Sequence, residues 1–346
     1  MRVVPLVASK GDANAEAARP DLGAAAWWAA RGAHWREGPD PSLRGLGAPG
    51  DGHGPKSGEA AGPSNGQAPM GALELRVAVR GQRSVAVHQY HQGALRVLRP
   101  HYLDDSGQVC YVLVNPGGAY LGADLYLVDV EVQDGADLLL TTQSATKIYR
   151  TPGSFAEQRM VVGLGEGARL ELMPDQLIAY REASYRQNTH ITVRPSSSLV
   201  MAEVITPGWS PDGASFRYEE LRLRNEIWVD GATEQPQLLA LDNLLIRPPA
   251  GDVTGLGFME GFSHLGSLIV VDARVDQALA DELHALTADR RARTGISLTR
   301  SVAGMTGLVL RSLSNSTEEL NRLLGACTAL LRERWHGQEP LNLRKY

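Results

Sequence analysis

From Gly71 onward the chain alternates apolar and polar residues in short runs, and that period of two limits its fold more than any other feature. The run LELRVAVR, starting at Leu73, is the signature of a half-buried strand. The same texture returns in SVAVHQYHQGALRVLRP, VCYVLVNPGG, QRMVVGLGEGARLELMP, THITVRP, SLVMAEVITP and PQLLALDNLLIRP. Turn residues recur about every 8–12 positions, which predicts a mainly β protein of stacked antiparallel sheets. Asp134-Gly135 predicts a hairpin between two strands. GLGEGA (163–168) lacks the spacing of a phosphate loop and reads as another hairpin turn.

Two helices are expected near the C-terminus. Residues 276–293 place Leu279, Leu283 and Leu286 on one face. Residues 316–336 open on Ser316 and Glu319, a capping box in which each side chain would satisfy the other residue's N–H. Leu320, Leu323, Leu324, Cys327, Leu330 and Leu331 then form one wide apolar stripe, with Cys327 packed rather than reactive. The stripe has two readings: packing on the protein's own sheet, or docking a partner.

Residues 1–69 differ in kind. They are rich in Ala, Gly, Pro and Asp, too poor in apolar surface to offset the entropy of ordering. A disordered leader is expected, with Trp27, Trp28 and Trp35 the exception in it. A sharper version makes Met70 the natural start and the leader non-native. The remaining unit is 70–346.

Composition excludes some functions. A net charge of −5 with no basic stripe gives no sign of nucleic-acid binding. No apolar run reaches the roughly 18 residues of a membrane span. Two distant cysteines, Cys110 and Cys327, suit a reducing cytoplasm better than a disulfide scaffold. The chain has no GxSxG, HExxH or GK[ST] motif, which lowers the case for an enzyme.

The segment NPGGAYLGADLYLVDVEVQDGADLLLTTQSATKIYR (115–150) resembles the most recognisable block of the UreD (UreH) family of urease accessory proteins. That family has a PGG…GGD turn, two strands, then LTTQAATKFYR. Ala123 stands here for the second glycine of GGD, which suggests no demand for positive φ at that position. HQGALRVLRPHY (91–102) and ARLELMPDQLIAY (168–180) are similar to further family blocks. MEGFSHLGSLIV (259–270) and the terminal LNLRKY resemble its Gram-positive branch.

The resemblance implies a β-helix-like stack with late helices and no catalysis of its own. It implies a scaffold that binds apo-urease together with UreF and the GTPase UreG. No cofactor would be tightly bound; Ni²⁺ would be in transit toward the urease active site. The C-terminal region would dock UreF.

A conduit must hold its cargo weakly and at several places, so spaced carboxylates suit Ni²⁺ better than a closed His/Cys cage. Three acids match family positions tied to the metal route: Asp124, Glu203 in SLVMAEVITP and Asp242 in LLALDNLLI. An ionised carboxylate in an apolar strand is costly without a partner. The plain alternatives are an ion pair with an arginine, a place on the solvated strand face, or, for Asp124, turn chemistry. Thr146, Lys147, Glu171 and Asp175 are secondary candidates. Lys147 reads as an ion-pair partner or a contact for an acidic surface. A generic β-rich protein- or carbohydrate-binding module is the alternative function, and a hydrolase using scattered acids is a third.

Overall fold

The strand SLVMAEVI is apolar at nearly every position because it is buried on both faces. Leu199, Met201 and Ile205 join the main core, whereas Val200, Ala202 and Val204 join a second cluster on the other side. Glu203 therefore belongs to the inward row. This one strand defines the architecture: two sheets face each other across a core, and two helices cover the back of the second sheet.

The computed structural model describes residues 68–288, 291–302 and 304–343. The expectations for positions 1–67, including the three tryptophans, lie outside the described residues. The strands are β1 (Gly71–Arg80), β2 (Arg83–Gly93), β3 (Arg96–Val97), β4 (Val109–Val114), β5 (Leu125–Val132) and β6 (Asp137–Thr142). Then come β7 (Thr146–Ile148), β8 (Ala156–Leu164), β9 (Arg169–Met173), β10 (Leu177–Ala179), β11 (Ser184–Val193) and β12 (Ser198–Ile205). The last are β13 (Glu220–Val229), β14 (Gln237–Ile246), β15 (His264–Val271), β16 (Arg293–Arg300) and β17 (Thr306–Ser314). Helix α1 spans Gln277–Ala288 and α2 spans Thr317–His336. No helix among the described residues is long and apolar enough to cross a membrane.

The first sheet runs β14-β13-β11-β8-β5-β1-β2, and the second runs β16-β17-β15-β12-β9-β6-β4-β3. The chain passes from one sheet to the other at each turn, giving a β-solenoid of roughly four turns. The expected mainly β, β-helix-like stack with two late helices is what forms. Pairing is parallel through the middle, β1 with β5, β5 with β8, β8 with β11 and β11 with β13. It is antiparallel at the ends, as in β1–β2 and β13–β14.

The two expected hairpins do not form. Asp134-Gly135 joins β5 of the first sheet to β6 of the second, and GLGEGA joins β8 to β9 in the same way. These are stacked solenoid corners. Gly135 N donates to Glu166 O at 2.8 Å, and Asp134 Oδ1 accepts from Glu166 N at 2.8 Å. A Cβ on Gly165 would come within 2.3 Å of that same Oδ1, so the close stacking of the corners requires glycine there.

The helices pack on the protein's own sheet. Leu320, Leu323, Leu324, Cys327 and Leu331 are buried against Val200, Leu268 and Leu310. Each such leucine contributes roughly 1.5–3 kcal/mol. The apolar stripe is thus used internally, and UreF docking by that stripe does not fit. α1 is described as far as Ala288, and Arg293, the expected end, already lies in β16. The capping box forms by halves. Ser316 Oγ accepts from Glu319 N at 3.4 Å, but Glu319 takes the Ser314 hydroxyl at 2.6 Å, and Ser314 Oγ accepts the Ser316 N–H.

Buried charges fix α2 to the second sheet. Arg332, 2% exposed, donates to Glu171 at 2.5 Å, Gln108 at 3.0 Å and Asp104 at 3.3 Å. Arg169 reaches Glu171 at 2.7 Å and Asp137 at 3.3 Å. Glu171 is therefore a structural anchor and not part of an acidic lining. Burial, with the Glu171 charge nearby, pushes the Asp137 carboxyl up to about 6, against the pull of Arg169. Folded Asp137 keeps its proton up to about pH 6, whereas an unfolded one loses it near 3.8. Its contribution is fully present below about pH 4 and is lost as pH rises toward 6. Asp137→Asn removes that loss. Urea titrations should show the variant gaining on the order of 1–3 kcal/mol relative to wild type between those two pH values.

Candidate functional site

Inward-facing side chains between the sheets are mostly aliphatic, so the polar ones stand out. They line up. On the first sheet, Tyr126, Gln158 and Gln187 are register neighbours, and so are Thr189, Asn225 and Asp242. On the facing sheet, Glu203, Ser267 and Arg311 are register neighbours. Parallel stacking brings equivalent positions of successive turns side by side, which turns isolated polar residues into a track along the core.

Hydrogen bonds link the track at close range. Tyr126 OH donates to Asp124 Oδ2 at 3.2 Å, and the Tyr126 ring stacks on Tyr120 at 3.8 Å. Tyr120 OH donates to Gln158 Oε1 at 2.7 Å. Tyr185 OH donates to Gln187 Oε1 at 3.2 Å, and Gln187 Nε2 donates to Glu203 Oε1 at 2.6 Å. Asn225 Nδ2 reaches Glu203 Oε2 at 2.9 Å. Beyond it, Asp242 pairs with Arg311.

A cavity of about 100 Å³ lies along the middle of the track. Gln158, Gln187, Thr189 and Glu203 line it. Thr189 is fully buried, and its hydroxyl has no partner among the described residues. The rest of the wall is largely aliphatic, so these few polar groups are the partners it offers to water or a hydrated cation. Thr146, Lys147 and Asp175 line the cavity on the side where Gln143 and Ser144 are exposed. The Lys147 ammonium makes no ion pair among the described residues, so its ion-pair reading does not hold.

Each leading acid is held differently. Glu203 has neither a direct arginine partner nor a solvated face, so both plain alternatives fail. Burial pushes its carboxyl above the ordinary range; the Gln187 and Asn225 amides oppose the rise, and Asp242 adds to it. Asp242 does form the ion pair that offered the plain alternative. Asp124 does turn work: Oδ2 accepts the Leu121 N–H at 2.8 Å, and Asp124 N donates to Leu121 O at 3.1 Å. Ala123 in that turn has φ 64°, so positive φ is demanded after all. A Cβ there is strained by roughly 1–2 kcal/mol. Ala123→Gly should raise stability by up to about 1 kcal/mol in denaturant unfolding, since glycine also costs entropy.

The strand patterns contained a signal for Gln158, Gln187 and Asn225, which the reading for acids alone passed over. In β11 the inward set is Tyr185, Gln187, Thr189, Ile191 and Val193, and two of these five are polar. Among the described residues no group of three His, Cys, Asp or Glu could hold a metal ion.

Sequence relatives decide the family. A family model described as UreD urease accessory protein matches residues 70–345. The chain belongs to the UreD family of urease accessory proteins. It is 83% identical over 282 residues to the urease accessory protein UreD of Arthrobacter sp. (strain FB24), covering 81% of this chain and 95% of that protein. A UreD of Corynebacterium glutamicum (strain ATCC 13032) is 49% identical over 282 residues, covering 80% and 98%. A UreD of Bacillus cereus (strain ATCC 10987) is 33% identical over 281 residues, covering 81% and 100%. The matching UreD region thus includes the whole interior track.

Proposed function

We propose that this chain is a non-catalytic scaffold of urease maturation in the cytoplasm. It binds apo-urease together with UreF and the GTPase UreG, and passes Ni²⁺ through its interior toward the urease active site. The observation that carries this reading is Glu203, an acid that lines an interior cavity together with Gln158, Gln187 and Thr189 in a largely apolar core.

The chemistry fits a cation in transit. Carboxylate and amide oxygens are weak Ni²⁺ ligands compared with imidazole and thiolate. Glu203, Gln187 and Gln158 offer such oxygens one after another, and transfer needs sites that release as readily as they bind. The raised carboxyl of Glu203 binds a proton in competition with metal, so transfer should weaken as pH falls. Asp242 and Asp124 stand at opposite ends of the track. Thr146, Lys147 and Asp175 sit at its side opening.

The test is maturation in cells that lack the chain. Urease purified from them should be nickel-poor, and supplying the chain should restore its metal. Fully nickel-loaded urease without the chain would end the reading.

A further inference from the structure

The outer face of the first sheet carries arginines packed beside one another. Arg186 on β11 and Arg222 on β13 are register neighbours, and Arg224 follows on the same face. Arg247 lies just past β14 and reaches Glu220 at 2.6 Å. Like charges side by side on a sheet are destabilising. The acids among them do not relieve this fully. Glu220 is shared by Arg186 and Arg247, and Glu226 is taken by Arg224 and the Trp228 N–H. Arg222 is half-buried and makes no ion pair among the described residues. Burial and the neighbouring Arg186 and Arg224 charges hold its guanidinium below the ordinary range.

On the β14 side of this row the surface carries exposed leucines. Leu245 is the register neighbour of Arg222 on β14, 44% exposed, and Leu241 is 38% exposed on the same strand. A planar guanidinium offers a carboxylate two parallel hydrogen bonds, and adjoining leucines favour an apolar side chain next to that carboxylate.

We infer that this face binds an acidic segment of another protein, with a carboxylate on Arg222 and apolar side chains on Leu241 and Leu245. Charge selects this occupant. The chain's own residues 1–67 hold seven acidic and seven basic side chains and so bring no net charge to the patch. A free phosphate would gain nothing from the leucines. Against a net charge of −5, the patch is where an acidic partner meets attraction rather than repulsion.

The probe is a fluorescein-labelled peptide of alternating Leu and Glu, titrated with the full chain and followed by anisotropy. Binding should weaken at high salt, and a peptide with Gln in place of Glu should not bind. Arg222→Gln should weaken binding by about tenfold or more, since it removes the charge-assisted hydrogen bonds to the carboxylate. Arg194→Gln, at the far end of the sheet where Arg194 pairs with Asp230, should bind as wild type does. The Arg222 variant should unfold no earlier than wild type, because removing it relieves like-charge crowding. No binding of the Glu peptide, equal binding of the Gln peptide, or an unchanged affinity in Arg222→Gln would each overturn the inference. Displacement of the peptide by inorganic phosphate alone would also overturn it. None of these readouts involves urease, so they are separate from the test of nickel transfer.

Discussion

Arg332→Ala should destabilise the folded chain by about 3–5 kcal/mol, the cost of stripping one partner from a buried charge network. Glu171, 2% exposed, would keep only Arg169, and Asp104 and Gln108 would lose their shared donor. Arg332 also donates to Glu339 O at 3.1 Å, so the segment after α2 would lose an anchor. Urea unfolding checks the value, and a loss below about 1 kcal/mol would contradict the network account. A double variant, Arg332→Met with Glu171→Leu, should recover much of the loss, because apolar replacement of a buried pair is often neutral. Neither change touches the interior track, so surviving folded protein should still support urease activation.

The second large effect concerns Glu203. Glu203→Gln keeps the shape and can still exchange hydrogen bonds with Gln187 and Asn225 through its amide. It removes a buried charge whose carboxyl is already pushed up by burial, so the unfolding midpoint should stay level or rise. Urease activation should nevertheless fall by roughly tenfold, the effect of losing about 1.4 kcal/mol at one site of the path. Asp124→Ala should behave in the opposite way. Its carboxylate holds the Leu121 N–H and the Tyr126 hydroxyl, so its loss should cost about 1–3 kcal/mol of stability. If Glu203→Gln lost the protein and left activation per folded molecule unchanged, Glu203 would be structural.

Much of the fold was legible in the alternation of residues. Period two gave the strands, and the leucine spacing gave both helices to within a few residues. Parallel stacking was not legible, because a corner such as Asp134-Gly135 has the same residues whether the chain folds back or crosses over. What decides is the next corner, where Glu166 meets Asp134 across 32 residues. The same limit applied to the acids. Glu203 and Glu171 both interrupt apolar runs, and the one local difference is Arg169, two residues before Glu171 and paired with it. Glu171 is claimed by Arg332, 161 residues away, whereas Glu203 faces two amides across the core. Ala123 misled for a different reason. The substitution of a glycine looked like relief from positive φ, but the Leu121–Asp124 turn imposes that backbone whatever residue occupies it.

The interior track is the central claim, and blocking it is its most direct test. Thr189→Phe points a ring into the cavity of about 100 Å³ beside Glu203. Nickel per urease active site would then be measured after maturation with the variant, alongside recovery of the chain with urease. The track predicts that the variant still assembles with urease, while the urease it matures holds little nickel. Full nickel occupancy with the cavity filled would contradict transfer through the interior.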